Sequence, residues 1–207
     1  GKILLVKLSN IGDEDIQKFI ATIIIRRIWA AIQERSNLQK HQYDPYFLVI
    51  DEFAKIEDDS MGIDEILSEA RSLQLSVTLA TQQLRQLSET SKQGVENNCK
   101  SLFTFRVGSA NQEDATHLAK SFSGVDPSTL LDIDEYVLIG KVFMKNGDSK
   151  VVAIDTFPPY PPLRSPEKAE QLIRDSMNRF GTEPIDVDDT DWDEYRISNR
   201  LEESGKR

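Results

Sequence analysis

Runs of apolar and polar residues divide the chain into alternating strand-like and helix-like segments. Lys2 to Leu8, "KILLVKL", is a short aliphatic run that predicts a buried strand. "SNIGDED" follows, with Asp13 placed to cap a helix. From Asp15 to about Arg35, the residues Ile16, Phe19, Ile20, Ile23, Ile24, Ile28, Ala31 and Ile32 recur at helical spacing, which predicts a long amphipathic helix with a wide apolar face. After the polar loop "SNLQKHQYDP", "YFLVID" has no alternation and predicts a strand buried on both faces, the habit of parallel sheets. Residues 62–74 predict a helix with Ile63, Ile66, Leu67 and Ala70 on one side.

The pattern continues with "LSVTLATQ" as a third buried strand, a short helical piece near "GVENNCK", and "SLFTFRV" as a fourth strand. A helix over "SANQEDATHLAKSF" opens on Ser109 as its expected cap. "DEYVLIGKVF" and "SKVVAIDTF" flank Asn146-Gly147, a strong short hairpin signal. Strands alternating with helices predict an α/β fold with a mostly parallel sheet flanked by helices, closed by an antiparallel hairpin. The expected folded part is 1–157. Residues 158–207 follow as a proline-rich connector, "PPYPPLRSP", a helix over 166–180 and an acidic tail.

Composition narrows the class. Hydrophobic residues make up 39% and charged residues 29%, which excludes a wholly disordered chain. No apolar run reaches the ~20 residues of a membrane span, and no signal peptide opens the chain. The single cysteine, Cys99, excludes an internal disulfide and is read as a small packed residue. His41 and His117 are too few for a histidine-rich metal site; His117 is read as structural or exposed. These features point to a reducing cytoplasm, with association at the inner face of a membrane only through partners or other segments.

The net charge is −10, split as −5 over 1–150 and −5 over the shorter 151–207. Such a surface repels nucleic acid overall. Glu183 to Glu194 holds seven acids and no base, with Trp192 its apolar anchor, and is expected to be flexible or docked on a partner.

Candidate chemistry lies at the strand ends, where α/β sheets place their ligands. Asp51 and Glu52 end the second strand, Thr81 and Gln82 the third, and Arg106 lies near Gly108 after the fourth. A magnesium–triphosphate needs a carboxylate beside the metal's water shell, a role for Asp51. A second carboxylate can orient or deprotonate an attacking water, a role for Glu52. Gln82 could sense the γ-phosphate. Arg71, near the end of the intervening helix, could reach a neighbouring subunit's nucleotide. Each has a plain alternative: a polar strand end, a solvated amide, or an arginine that favours the helix dipole. The phosphate-cradling GxxxxGK[ST] is absent from the sequence, so the chain alone is expected to bind nucleotide poorly and hydrolyse it hardly at all.

Taken in order, "YFLVIDEFAKI", "EARSLQLSVTLATQQ" and "NNCKSLFTFRVGSANQEDATHLAKSF" resemble the carboxyl half of the HerA–FtsK superfamily of RecA-like motor ATPases. The nearest likeness is to conjugative and type IV secretion ATPases of the TraG/TraD type and to archaeal HerA-like translocases. The likeness covers roughly 1–155 and extends weakly to the expected helix at 166–180. It implies ATP and Mg²⁺ as ligands and Asp51-Glu52 as the Walker B pair. It also implies Gln82 as the sensor and Arg71 as the arginine presented to a neighbour. It further implies a hexameric ring that moves DNA or a secreted protein, alongside membrane-associated secretion components. The missing phosphate loop departs from that pattern, as does the acidic "AKIEDDSMG" after the Walker B pair. A non-catalytic RecA-like interaction module is the alternative. A stand-alone metal hydrolase built on Asp51 and Glu52 ranks last.

Overall fold

The computed structural model describes residues 3–38, 43–161 and 165–181. The chain divides into two units, Gly1–Pro158 and Pro159–Arg207. His41, the 183–194 acidic stretch with Trp192, and part of the proline-rich connector lie outside the described residues.

Helix α1, Glu14–Gln33, begins where expected: Asp13 Oδ1 accepts from the Asp15 N–H at 2.9 Å and the Ile16 N–H at 3.0 Å. Glu14 and Asp15 place negative charge on the first turn, favourable to the helix dipole. Its buried stripe is Ala21, Ile25, Trp29 and Ile32. Of the face expected from the sequence only Ile32 is in this stripe: Ile20, Ile24 and Ile28 are half-buried, and Ile16, Phe19, Ile23 and Ala31 are exposed. Apolar residues on α1 span more of its circumference than its neighbours reach. Glu65 fastens the packed side, accepting from Trp29 Nε1 at 3.2 Å and from Arg26 Nη1 at 3.1 Å.

Strand β1, Tyr46–Ile50, pairs in parallel with β2, Leu75–Leu79, in the register Tyr46↔Leu75 through Ile50↔Leu79. The crossover between them runs through α2, Phe53–Ile56, and α3, Ile63–Ala70. Ile63, Ile66, Leu67 and Ala70 of α3 are buried, on the face the sequence predicts. Gly62, which precedes α3, has φ +64, and a Cβ there would lie 2.3 Å from Arg26 Nη2. Phe53, Met61 and Ile66 sit at the centre of this first core, with Trp29 of α1 packed against them.

Helix α4, Glu89–Asn98, is capped by Ser88, whose Oγ accepts from the Ser91 N–H at 3.2 Å. A second core follows. Strands β3 (Leu102–Thr104), β4 (Val137–Phe143) and β5 (Ser149–Asp155) form an antiparallel sheet in the order β3-β4-β5. Helices α5 (Gln112–Ser121) and α6 (Pro127–Leu131) contribute Ala115, Leu118 and Leu130 to a cluster with Ile139, joined by Phe122 just after α5. The hairpin turns at Asn146-Gly147 as expected: Gly147 has φ 94 and the Met144 N–H donates to Asp148 O at 2.8 Å. Gly140 of β4 lies under the Phe103 ring, where a Cβ would come within 2.7 Å of Cδ1.

Several expectations need correction. Residues 3–8 form no strand, and Ile3, Leu4 and Leu5 are exposed; an aliphatic run becomes a strand only when another backbone accepts its hydrogen bonds. β1 is not buried on both faces: Phe47 is 73% and Val49 68% exposed, while Ile50 is buried. Helices cover only one side of the β1–β2 pair, and β2 alternates in the same way, with Ser76 and Thr78 exposed. β3 spans three residues, shorter than the seven-residue run in the sequence. Its partner β4 is antiparallel, so the antiparallel part takes in more than the hairpin. Ser109 does not cap α5. It lies in a 3₁₀ turn, Ser109–Asn111, and α5 begins after Asn111 without a side-chain cap.

In the second unit, α7 spans Pro166–Phe180 with proline in its first turn, a position that needs no N–H donor. Leu172, Ile173, Met177 and Phe180 are exposed on it. No helix among the described residues is long and apolar enough to cross a membrane.

Candidate active site at one edge of the parallel pair

Parallel register brings the ends of β1 and β2 to one edge. The ladder runs past the strands: the Ala80 N–H donates to Ile50 O at 2.9 Å, and the Phe53 N–H donates to Ala80 O at 2.8 Å. Asp51 and Glu52 therefore stand beside Ala80, Thr81 and Gln82. Glu52 takes a left-handed conformation, φ 51 and ψ 40, a costly choice for a residue with a Cβ. The Asp51 carboxylate stabilises that turn by accepting the Glu52 N–H at 2.9 Å through Oδ1.

The turn lays the Glu52 carboxylate across the edge. Its Oε1 accepts a hydrogen bond from Gln82 Nε2. Its Oε2 lies 3.2 Å from Lys55 Nζ, three residues on along α2. The structure thus joins Glu52 to Gln82 directly and ties Asp51 to Glu52. Arg71 is elsewhere. It ends α3 and opens the 3₁₀ turn Arg71–Leu73 that leads into β2, so it belongs to the opposite edge of the pair. Five strand residues separate those edges, roughly 15 Å along the chain. There Arg71 lines an open cleft with Ser68, Ser72 and Gln74.

The segment after Gln82 is anchored by buried acids that sequence reasoning missed. Asp114 Oδ2 of α5 accepts from the Leu84 N–H at 3.2 Å. Glu57 Oε1 accepts from Ser88 Oγ at 2.7 Å and from Ser91 Oγ at 2.6 Å. Among the described residues, Glu57, Ser91 and Asp114 are the buried polar or charged side chains, and all three serve this segment. No local signal in the sequence marks them, because their partners lie about thirty residues away. Lys55 did have a signal, its helical spacing from Glu52.

Among the described residues no three His, Cys, Asp or Glu side chains converge to hold a metal by themselves. Two adjacent carboxylates and an amide suit a different ion, one that keeps waters and takes its remaining ligands from phosphate. Burial pushes the Cys99 thiol up, which keeps it protonated and fits a packed residue. His117 is exposed on α5 and pairs with Glu96 of α4. Arg106 is exposed beyond the end of β3.

Comparison with known proteins bears on the same segment. Residues 45–129, which include Asp51, Glu52, Arg71 and Gln82, match the family described as the TraM recognition site of TraD and TraG. The fold is similar to that of the bacterial conjugative coupling protein TrwBΔN70 in its unbound monoclinic form, with TM-score 0.55 and 14% identity over 66% of this chain and 37% of that one. It is also similar to the plasmid coupling protein TrwB in complex with the non-hydrolysable GTP analogue GDPNP, with TM-score 0.54 and 14% identity over the same shares of each chain. The match therefore spans little more than a third of those proteins' length. A comparison with curated proteins finds no match. Residues 45–129 thus match the TraD and TraG family model, and the α/β fold of the chain is similar to that of the two TrwB structures.

Proposed function

We propose that this chain carries the water-handling side of the nucleotide site in an ATP-driven motor of conjugation or type IV secretion. The observation that carries the reading is the Glu52–Gln82 contact beside Asp51, at the shared edge of two parallel strands. Asp51 would hold Mg²⁺ through its water shell. Glu52 would orient and deprotonate the attacking water. Gln82, touching Glu52, would hydrogen-bond both that water and the γ-phosphate. The sequence has no GxxxxGK[ST], so other groups must cradle the β- and γ-phosphates. The complex of TrwB with GDPNP supports nucleotide as the ligand class.

Arg71 sits at the opposite edge from Glu52, too far to serve the same site. In a ring, that edge would face a neighbouring copy, and a permanently charged guanidinium suits the charge that grows on a transferring phosphoryl group. A hexamer is the assembly proposed, with DNA or a secreted protein as cargo. A cytoplasmic position at the inner face of the membrane fits that role. The description of the matched family adds a TraM-like protein as a candidate partner.

The test is magnesium-dependent ATP hydrolysis by the full-length gene product. Glu52→Gln is expected to lower kcat by about 10²–10⁴-fold, the range of a lost general base. Arg71→Ala is expected to lower it by at least about 10³-fold. Activity that persists in both variants overturns the assigned roles. The family description, a recognition site, favours a second reading: an interaction module that binds partners without regard to nucleotide. Partner binding unchanged by Mg–ATP, in a protein that hydrolyses none, would select it.

A further inference from the structure

Both oxygens of Glu52 already hold a donor, and the two donors differ in freedom. Gln82 belongs to a segment pinned on two sides, by Asp114 at Leu84 and by Glu57 at Ser88 and Ser91. Its main chain is also tied at Ala80, to Ile50 and Phe53. The main chain that carries Gln82 is therefore held in place on both sides, and its exposed side chain reaches Glu52 from a fixed base. Lys55 is different. Its side chain is 67% exposed, and its ammonium rides on a flexible four-carbon stem that ends in the ion pair with Glu52. Its backbone N–H donates to Glu52 O at 2.9 Å, which keeps the stem within reach of the carboxylate.

With Glu52 as the water-handling group of the proposed site, we propose that Lys55 is a positioning residue that latches Glu52 at rest. The ammonium occupies Oε2, draws the carboxylate back over the first turn of α2 and neutralises its charge. A general base needs a free, basic oxygen directed at the water. Glu52 gains one when Lys55 lets go, while Gln82 keeps hold of Oε1 and fixes the direction in which the carboxylate faces. The latch costs little to open, since an exposed ion pair is weak. It is thus suited to responding to a ligand whose negative charge competes for the ammonium.

The full-length gene product tests this in two ways. Lys55→Met is expected to raise the basal rate of ATP hydrolysis about two- to fivefold, the size an exposed ion pair can supply. Lys55→Arg, which keeps the charge, is expected to stay at the wild-type rate. Independently of turnover, lysine-acetylation footprinting by mass spectrometry without nucleotide should show Lys55 labelled at least about twofold faster in Glu52→Gln than in wild type, relative to the other lysines. A Lys55→Met rate equal to or below wild type, in a protein that Glu52→Gln inactivates, overturns the latch and leaves the site standing. Unchanged labelling of Lys55 in Glu52→Gln also overturns it. Hydrolysis that survives Glu52→Gln overturns the site assignment itself.

Discussion

The two β regions arrange similar material to different ends. In the β1–β2 pair both strands run the same way, so both carboxyl ends reach one edge. Asp51, Glu52 and Gln82, far apart in sequence, meet there. In β3-β4-β5 neighbouring strands run opposite ways, so successive carboxyl ends fall on opposite edges. The polar cluster at its hairpin, Asn146 with Asp148, is made by residues two apart and needs no long-range alignment. Parallel register concentrates chemistry, whereas antiparallel register continues a surface. The helices reflect this too: α2 and α3 form the crossover a parallel pair requires, while β4 and β5 need only a short turn.

Truncating the centre of each core would test that division most severely. Phe53→Ala and Phe122→Ala remove rings that are 1% and 0% exposed, and each should cost about 3–5 kcal/mol of unfolding free energy in urea titration. Phe53→Ala should in addition loosen the Glu52–Gln82 edge, because the buried ring seats the backbone whose N–H donates to Ala80 O. Phe122→Ala should leave that edge intact as long as the protein remains folded. Hydrogen exchange at the amides of residues 53 and 80 separates the two cases, and equal protection in both variants would show that the two cores do not act separately on that edge.

A smaller effect tests how the segment after Gln82 is anchored to the first core. Glu57→Ala leaves the hydroxyls of Ser88 and Ser91 without their acceptor, at an expected cost of about 1–3 kcal/mol in the same titration. Glu57→Gln keeps an oxygen able to accept both and should recover most of the loss. Equal losses in the two variants would show that charge, and not acceptance, holds the segment.

Acid response should be alike in both regions and is the smallest effect. Asp58 in the first and Asp126 in the second each cap a turn, and hydrogen bonds from the side chain and then the backbone of Ser60 or Ser128 hold each carboxyl below its ordinary value of 3.8. A lowered carboxyl stabilises the fold above its ordinary value, and that contribution is lost as pH falls through the lower folded value. Asp58→Asn and Asp126→Asn should therefore each lower Tm slightly above pH 3.8 and flatten its fall below that pH. Thermal melts across that pH would detect either substitution failing to do so.

What the sequence made legible was local. The Asp13 cap, the buried side of α3, the Asn146-Gly147 turn and the polar ends of β1 and β2 all follow from neighbouring residues. Exposure was not legible, because it depends on what else packs nearby. "YFLVI" reads as doubly buried, yet only one of its faces is covered. "ILLV" near the start reads as a strand, yet nothing pairs with it among the described residues. At the candidate site, Asp51, Glu52 and Gln82 could be named from type and position alone. The anchors Glu57 and Asp114 could not, since an acid looks the same in sequence whether it meets water or a distant hydroxyl.

The bond between Trp29 and Glu65 also has a practical use. The indole is 2% exposed, and the chain's other tryptophan is Trp192. Replacing Trp192 with phenylalanine would leave Trp29 as the sole indole fluorophore. Its emission would then register whether α1 stays seated on α3, an optical readout of scaffold integrity that does not depend on the chemistry at the strand ends.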